Sequence, residues 1–104
     1  MSIRVAIEEL EQALSEYPWG YVLTVSDDGR AHVLAVPTHY VDGVLVAPIG
    51  RSTTVNVSER PDVSMLFPPA SGTGYSLIVD GTATMVDGDL HLDPVTAVRH
   101  RPAL

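Results

Sequence analysis

The chain changes its hydrophobic period once, and early. Ile3, Ile7, Leu10 and Leu14 recur at helical spacing, with Glu8, Glu9 and Glu11 off that face. This pattern predicts one amphipathic helix over residues 3–16, ended before Pro18 and Gly20. From Gly20 onward the alternation has a period of two, as half-buried strands require. Residues 20–26 and 31–41 read as strands joined through Asp28-Gly29, a strong hairpin signal. Asp42-Gly43 is a second tight turn and leads into a strand over 44–50. Residues 52–59 supply one or two helical turns, stopped by Pro61, and residues 62–68 resume a strand. Pro68 to Gly74 is a loop rich in proline, serine and glycine. A strand over 75–86, a turn at Asp87-Gly88 and a last strand over 89–100 carrying Pro94 complete the pattern. Six strands in a chain too short for two full sheets predict a mainly β fold. The expected architecture is a small antiparallel barrel with an N-terminal helix and a short helix after the third strand.

Composition narrows the function. A chain of 104 residues, 45% of them apolar, makes one folded domain over 1–104. No apolar run approaches the roughly 18–20 residues that cross a bilayer. The acidic N-terminus lacks the basic start and long apolar stretch of a signal peptide. There is no cysteine, hence no disulfide framework and no thiolate metal site. A cytoplasmic protein without a membrane partner is expected. The formal charge of −7 argues against nucleic acid, whose phosphates require clustered cations. All six basic residues are arginine. Arg99 and Arg101, flanking His100, form the one local basic pair and read as a solvated strand end.

Few residues carry chemistry. His32, His39, His91 and His100 have no metal-ligand spacing, and His32 and His39, seven apart, face opposite sides of a regular strand. Asp27, Asp28, Asp42, Asp87 and Asp89 fall in turns, where short polar side chains satisfy the backbone. No serine has a nucleophile-elbow motif, and the glycines of Ser71–Gly74 lack phosphate-loop spacing. No catalytic residue is therefore assigned. What remains is Gly50-Arg51-Ser52-Thr53-Thr54, which follows a strand and opens a helix. There, backbone N–H groups lack partners and the helix dipole favours an anion. A hydroxyl capping the helix is the simpler use of such residues, but a cap needs one hydroxyl and this stretch offers three beside an arginine.

Residues 44–69 resemble the strand–turn–helix–strand core of the pyridoxamine-phosphate-oxidase-like, flavin-binding split-barrel proteins. The stretch from Pro61 to Pro69, PDVSMLFPP, is similar to the run that follows the phosphate helix in that family. The likeness extends back through DDGRAHVLAVPTHYVDGVLV and forward to YSLIVDGTATMVDG, so it covers roughly residues 18–88. It implies a six-stranded antiparallel split β-barrel, a homodimer, and a flavin (FMN) in a groove between subunits with its phosphate at the start of the short helix. By position, Arg51 stands where the family often has serine, Ser52 where it often has arginine, and Thr53 where it often has lysine. Thr54 follows. Thr38 is on the strand that would run beside the flavin ring, Ala47 and Pro48 end the strand entering the phosphate turn, and Ser76 replaces an amide that can reach the cofactor from the partner subunit. The loss of lysine at Thr53 removes a charge that Arg51 can restore, since a guanidinium grips phosphate bidentately.

The resemblance implies an FMN-dependent oxidoreductase with an unknown small-molecule substrate. The C-terminal region that grips substrate in true pyridoxamine phosphate oxidases is missing, so that reaction is not expected. A deazaflavin is the alternative cofactor, disfavoured because its acidic tail calls for a basic groove. Two non-catalytic alternatives are a module that stores flavin or haem, with His39 the first haem-ligand candidate, and a degenerate dimer without cofactor. Trp19, Tyr21, Tyr40, Phe67 and Tyr75 are candidates for the subunit interface, where aromatic residues are enriched.

Overall fold

Eight strands and two short helices make up the computed structural model, which describes residues 1–103. In chain order they are β1 (Ser2–Val5), α1 (Leu10–Leu14), β2 (Trp19–Val25), β3 (Ala31–Pro37), β4 (His39–Val41) and β5 (Val44–Pro48), then α2 (Arg51–Glu59), β6 (Asp62–Phe67), β7 (Ser76–Val86) and β8 (Asp89–His100). All pairings are antiparallel, in the order β3-β2-β6-β7-β8-β5-β4, and β1 adds to β8 beyond the end of β5. The sheet curls into a half-barrel whose two ends, β3 and β4, are consecutive in sequence and separated by Thr38 alone.

Turn chemistry behaves as the sequence implies. Asp42-Gly43 and Asp87-Gly88 both adopt positive φ, at 49° and 83° and at 51° and 86°, the conformation that two-residue hairpins need. Alternation then directs Leu45, Met65, Phe67, Leu77, Val79, Leu90 and Leu92 inward, where they are fully buried. Pro94 lies between the stretches of β8 that pair with β5 and with β1, so its missing N–H costs no bond on that edge. It stands opposite Gly81, where the β7–β8 register shifts.

Three expectations are corrected. The helix over 3–16 gives way to β1, a 3-10 turn over Ile7–Glu9, and the five-residue α1. Ser2–Val5 also alternates polar and apolar, and pairing with Ala97–His100 satisfies a strand edge that β5 leaves uncovered. The strand over 31–41 is two strands, because the chain leaves β2 at Pro37 and joins β5 from His39. Phe67 is no interface residue: it is buried in the barrel against Tyr17, ring centroids 6.2 Å apart. Arg99 and Arg101 are engaged, with Glu16 at 3.1 Å and over the Tyr75 ring at 4.6 Å respectively. No helix among the described residues is long and apolar enough to cross a membrane.

Candidate functional site

α2 lies between β5 and β6 and packs on β2 and β7, burying Thr53, Asn56 and Val57. Its last residues are held to the β2–β3 turn. Arg60 Nε donates to the Val25 carbonyl at 2.7 Å, and its guanidinium pairs with Asp27 at 2.8 Å.

The first turn is different. Its N-cap is Gly50, in extended conformation, and no side chain caps it. The hydroxyl cap considered from sequence is therefore not made. A Cβ on Gly50 would meet nothing within 4 Å, so the space before the helix is open. The Thr54 N–H closes the first helical bond to the Gly50 carbonyl at 3.0 Å. The N–H groups of Arg51, Ser52 and Thr53 precede that bond and have no helical partner. No acidic residue lies in the turn. Among the described residues the ion pairs are those of Arg60 and Arg99, so the Arg51 guanidinium is uncommitted.

The four side chains singled out from sequence are not equivalent. Arg51 and Ser52 are exposed and available. Thr53 is only 8% exposed, on the side that faces the barrel. Thr54 turns back, its hydroxyl donating to the Gly50 carbonyl at 2.8 Å, and has no proton left for an anion.

The sheet brings Pro48 and Thr38 towards this turn. Pro48 is exposed beside Asp89 at the end of β5, and the ladder pairing His39 with Val46 ends one residue short of placing Thr38 beside Ala47. Ala47 is fully buried, backbone included, and presents no surface to a ligand in this subunit. Thr38 also borders a cleft of about 380 Å³ lined with Glu11, Leu14, Ser15, Tyr17, Pro18, His39 and Tyr40. Ser76 is not brought close. It starts β7, opposite His100, whereas Val86 at the other end of β7 pairs with Asp89 beside Pro48. Ten residue steps along the strand separate the two ends, roughly 34 Å of strand length.

Sequence reasoning missed Asn56 and Tyr17. Asn56 Nδ2 donates to Thr24 Oγ1 at 3.2 Å inside the barrel. Tyr17 donates to the Tyr75 carbonyl at 2.7 Å, and burial pushes its hydroxyl pKa up, partly offset by Arg99. In the β2–β3 turn, Asp28 accepts from the Ser26 hydroxyl and the Arg30 amide, which hold its carboxyl below the ordinary range.

No family model matches the chain. It is 36% identical over 120 aligned positions to the uncharacterized protein Mb0449c of Mycobacterium bovis, covering 96% of this chain and 82% of that one. Among solved structures it is similar to an FAD-binding protein from Mesorhizobium loti, with TM-score 0.72 and 17% identity over 95% of this chain and 96% of the other. It is also similar to an F420 reductase, with TM-score 0.68 and 18% identity over 83% and 94% of the two chains. At such identities the likeness establishes the fold alone, the curled antiparallel split barrel that this chain shares with those proteins.

Proposed function

For a chain that belongs to the family of Mb0449c and has the split-barrel fold, we propose a flavin-binding oxidoreductase that holds the phosphate of FMN at the first turn of α2. The observation that carries this reading is the donor set of that turn. An uncommitted guanidinium, an exposed hydroxyl and three N–H groups without helical partners belong to one helical turn that holds no carboxylate. Phosphate fits such a set by charge and by donor count. The solved structures that bind FAD or reduce F420 share the fold and give the proposal its chemical class.

A bound flavin supplies hydride transfer at its ring. The chain's own part is to bind and orient: Arg51 and Ser52 grip the phosphate, and Thr38 and the exposed Pro48, which flank the buried Ala47 at the end of the sheet, lie along the ring. FMN is favoured over a deazaflavin because a chain of net charge −7 offers an acidic tail little attraction.

The proposed assembly is a homodimer. Ala35, Tyr21, Leu66, Ile78 and Val98 form one cross-strand row on the outer face of β3-β2-β6-β7-β8. Val33 (60% exposed) and Trp19 (41% exposed) extend it with apolar surface. An outward apolar row of this kind, bordered on the same face by the polar Ser64 and Asp80, supports an association surface. A second copy is also the route by which Ser76 reaches a groove that its own subunit keeps it away from.

The absorbance spectrum of freshly purified protein, followed by titration with FMN, FAD and a deazaflavin, tests the reading. Yellow flavin bands, or saturable FMN binding tighter than deazaflavin binding, support it. A Soret band, or a bare protein spectrum with no binding, contradicts it. Light scattering should give about twice the 11.1 kDa of one chain, and a clean monomer would remove the dimer.

A further inference from the structure

Among the described residues the buried polar side chains are Thr24, Thr53 and Asn56, and all three lie where α2 meets the barrel. Thr24 (4% exposed) is on the inner face of β2, and Asn56 (5% exposed) reaches it across the helix–sheet boundary. We propose that the Asn56–Thr24 hydrogen bond is a positioning contact, which fixes the direction of the first turn of α2 and with it the anion site. The inference rests on the phosphate reading of that turn for its functional consequence, but not for its geometry.

A neutral hydrogen bond contributes little net stability, and burying an amide forgoes what a well-packed apolar side chain would contribute there. Stability alone would favour leucine at position 56. What the amide adds is direction, because a hydrogen bond weakens steeply when its angle is lost, whereas the neighbouring Val57 contact tolerates sliding. The polar anchors of α2 all lie in its second half and all reach β2 or the turn that follows it: Asn56 to Thr24, Arg60 to Val25 and Asp27. The first turn has no such anchor and projects beyond them. Arg51 stands five residues from Asn56, roughly 7.5 Å along the helix axis. A tilt of about 10° at Asn56 would displace the first turn by about 1 Å, more than the roughly 0.5 Å that a binding constellation tolerates.

Asn56→Leu and Thr24→Val each remove the bond, and Thr24→Ser keeps the hydroxyl. Three readouts apply: the thermal midpoint, the residual dipolar couplings of the amides of residues 51–54 relative to those of the sheet, and titration with FMN. Asn56→Leu should fold with a midpoint near the wild type, and Thr24→Val, which strands the buried Asn56 amide, with a lower one; both should show altered couplings in the first turn and bind FMN at least tenfold more weakly. Thr24→Ser should match the wild type in couplings and FMN binding, with a midpoint lowered only by the buried methyl it loses. Unchanged couplings in Asn56→Leu and Thr24→Val would overturn the proposal whatever FMN does. Loss of the fold in both would overturn it too, since the bond would then be structural. Altered couplings in a protein whose wild type binds no FMN would sustain the positioning role and remove the flavin reading.

Discussion

α1 presents Leu10, Ala13 and Leu14 to the core, whereas α2 presents Thr53, Asn56 and Val57, two of them polar. The helices lie towards opposite ends of β2, α1 near Trp19 through Tyr17 and α2 near Val25 through Arg60. A segment that only closes a core is expected to be apolar on its inner face, and α1 is. α2 gives up apolar burial on one side and leaves its first N–H groups uncapped on the other. The pair thus separates a helix selected for packing from a helix selected for placement, and the placed helix carries the candidate site.

The comparison breaks most visibly at Leu10, which is fully buried. Leu10→Ala should cost about 2–5 kcal/mol, by lost transfer energy and the cavity left behind. Chemical denaturation would measure it, and the fraction still folded should keep wild-type affinity for FMN. A weakened site in folded Leu10→Ala would mean that the two helices are not independent.

A smaller effect is expected at the C-terminal clamp of α2. Arg60→Ala removes a half-exposed ion pair with Asp27 and the bond to the Val25 carbonyl, together about 1 kcal/mol by denaturant midpoint. Amide exchange should quicken in the last turn of α2 more than in β6. Uniform quickening across both would show that the clamp secures the whole barrel rather than this helix.

The smallest effect concerns the turn that presents Asp27. The Asp28 carboxyl lies below its ordinary value of 3.8 because the Ser26 hydroxyl and the Arg30 amide bond to its charged form. A carboxyl lowered in the folded state stabilises above its unfolded value, and the contribution is lost as pH falls through the folded value. Wild type should therefore lose stability relative to Asp28→Asn below about pH 4. Thermal midpoints of both proteins between pH 2 and 6 would check this, and parallel curves would refute it.

Local chemistry was legible in the sequence and long-range pairing was not. Asp42-Gly43 and Asp87-Gly88 specify their turns by themselves, because few residues accept positive φ. The six stretches with a period of two map onto β2 to β8, one of them broken at Thr38. β1 was hidden because Ile3 and Ile7 fit a helical spacing, and because its partner, Ala97–His100, lies at the other end of the chain. The candidate turn was visible from its residue types. Its hierarchy was not, since only the coordinates show Thr54 turned back to Gly50 and Thr53 facing the barrel. Asn56 carries no charge and stands in no motif, so its residue type alone does not mark it. The available signal was an amide three residues after Thr53 and next to Val57, a polar residue on the stripe that should have been apolar.

The central claim is that the first turn of α2 holds a flavin phosphate, and riboflavin measures it most directly because it carries the same ring without the phosphate. FMN and riboflavin would be titrated at one fixed salt concentration into wild type and Arg51→Ala, since the interaction is electrostatic and screened. The account predicts that wild type binds FMN more tightly than riboflavin by on the order of ten- to a hundredfold, the equivalent of a charge-assisted bond of roughly 1.5–3 kcal/mol. Arg51→Ala should lose most of that preference while its own stability stays within about 0.5 kcal/mol of wild type. Equal affinity for the two ligands in wild type, or a preference for FMN that survives Arg51→Ala undiminished, would contradict the account.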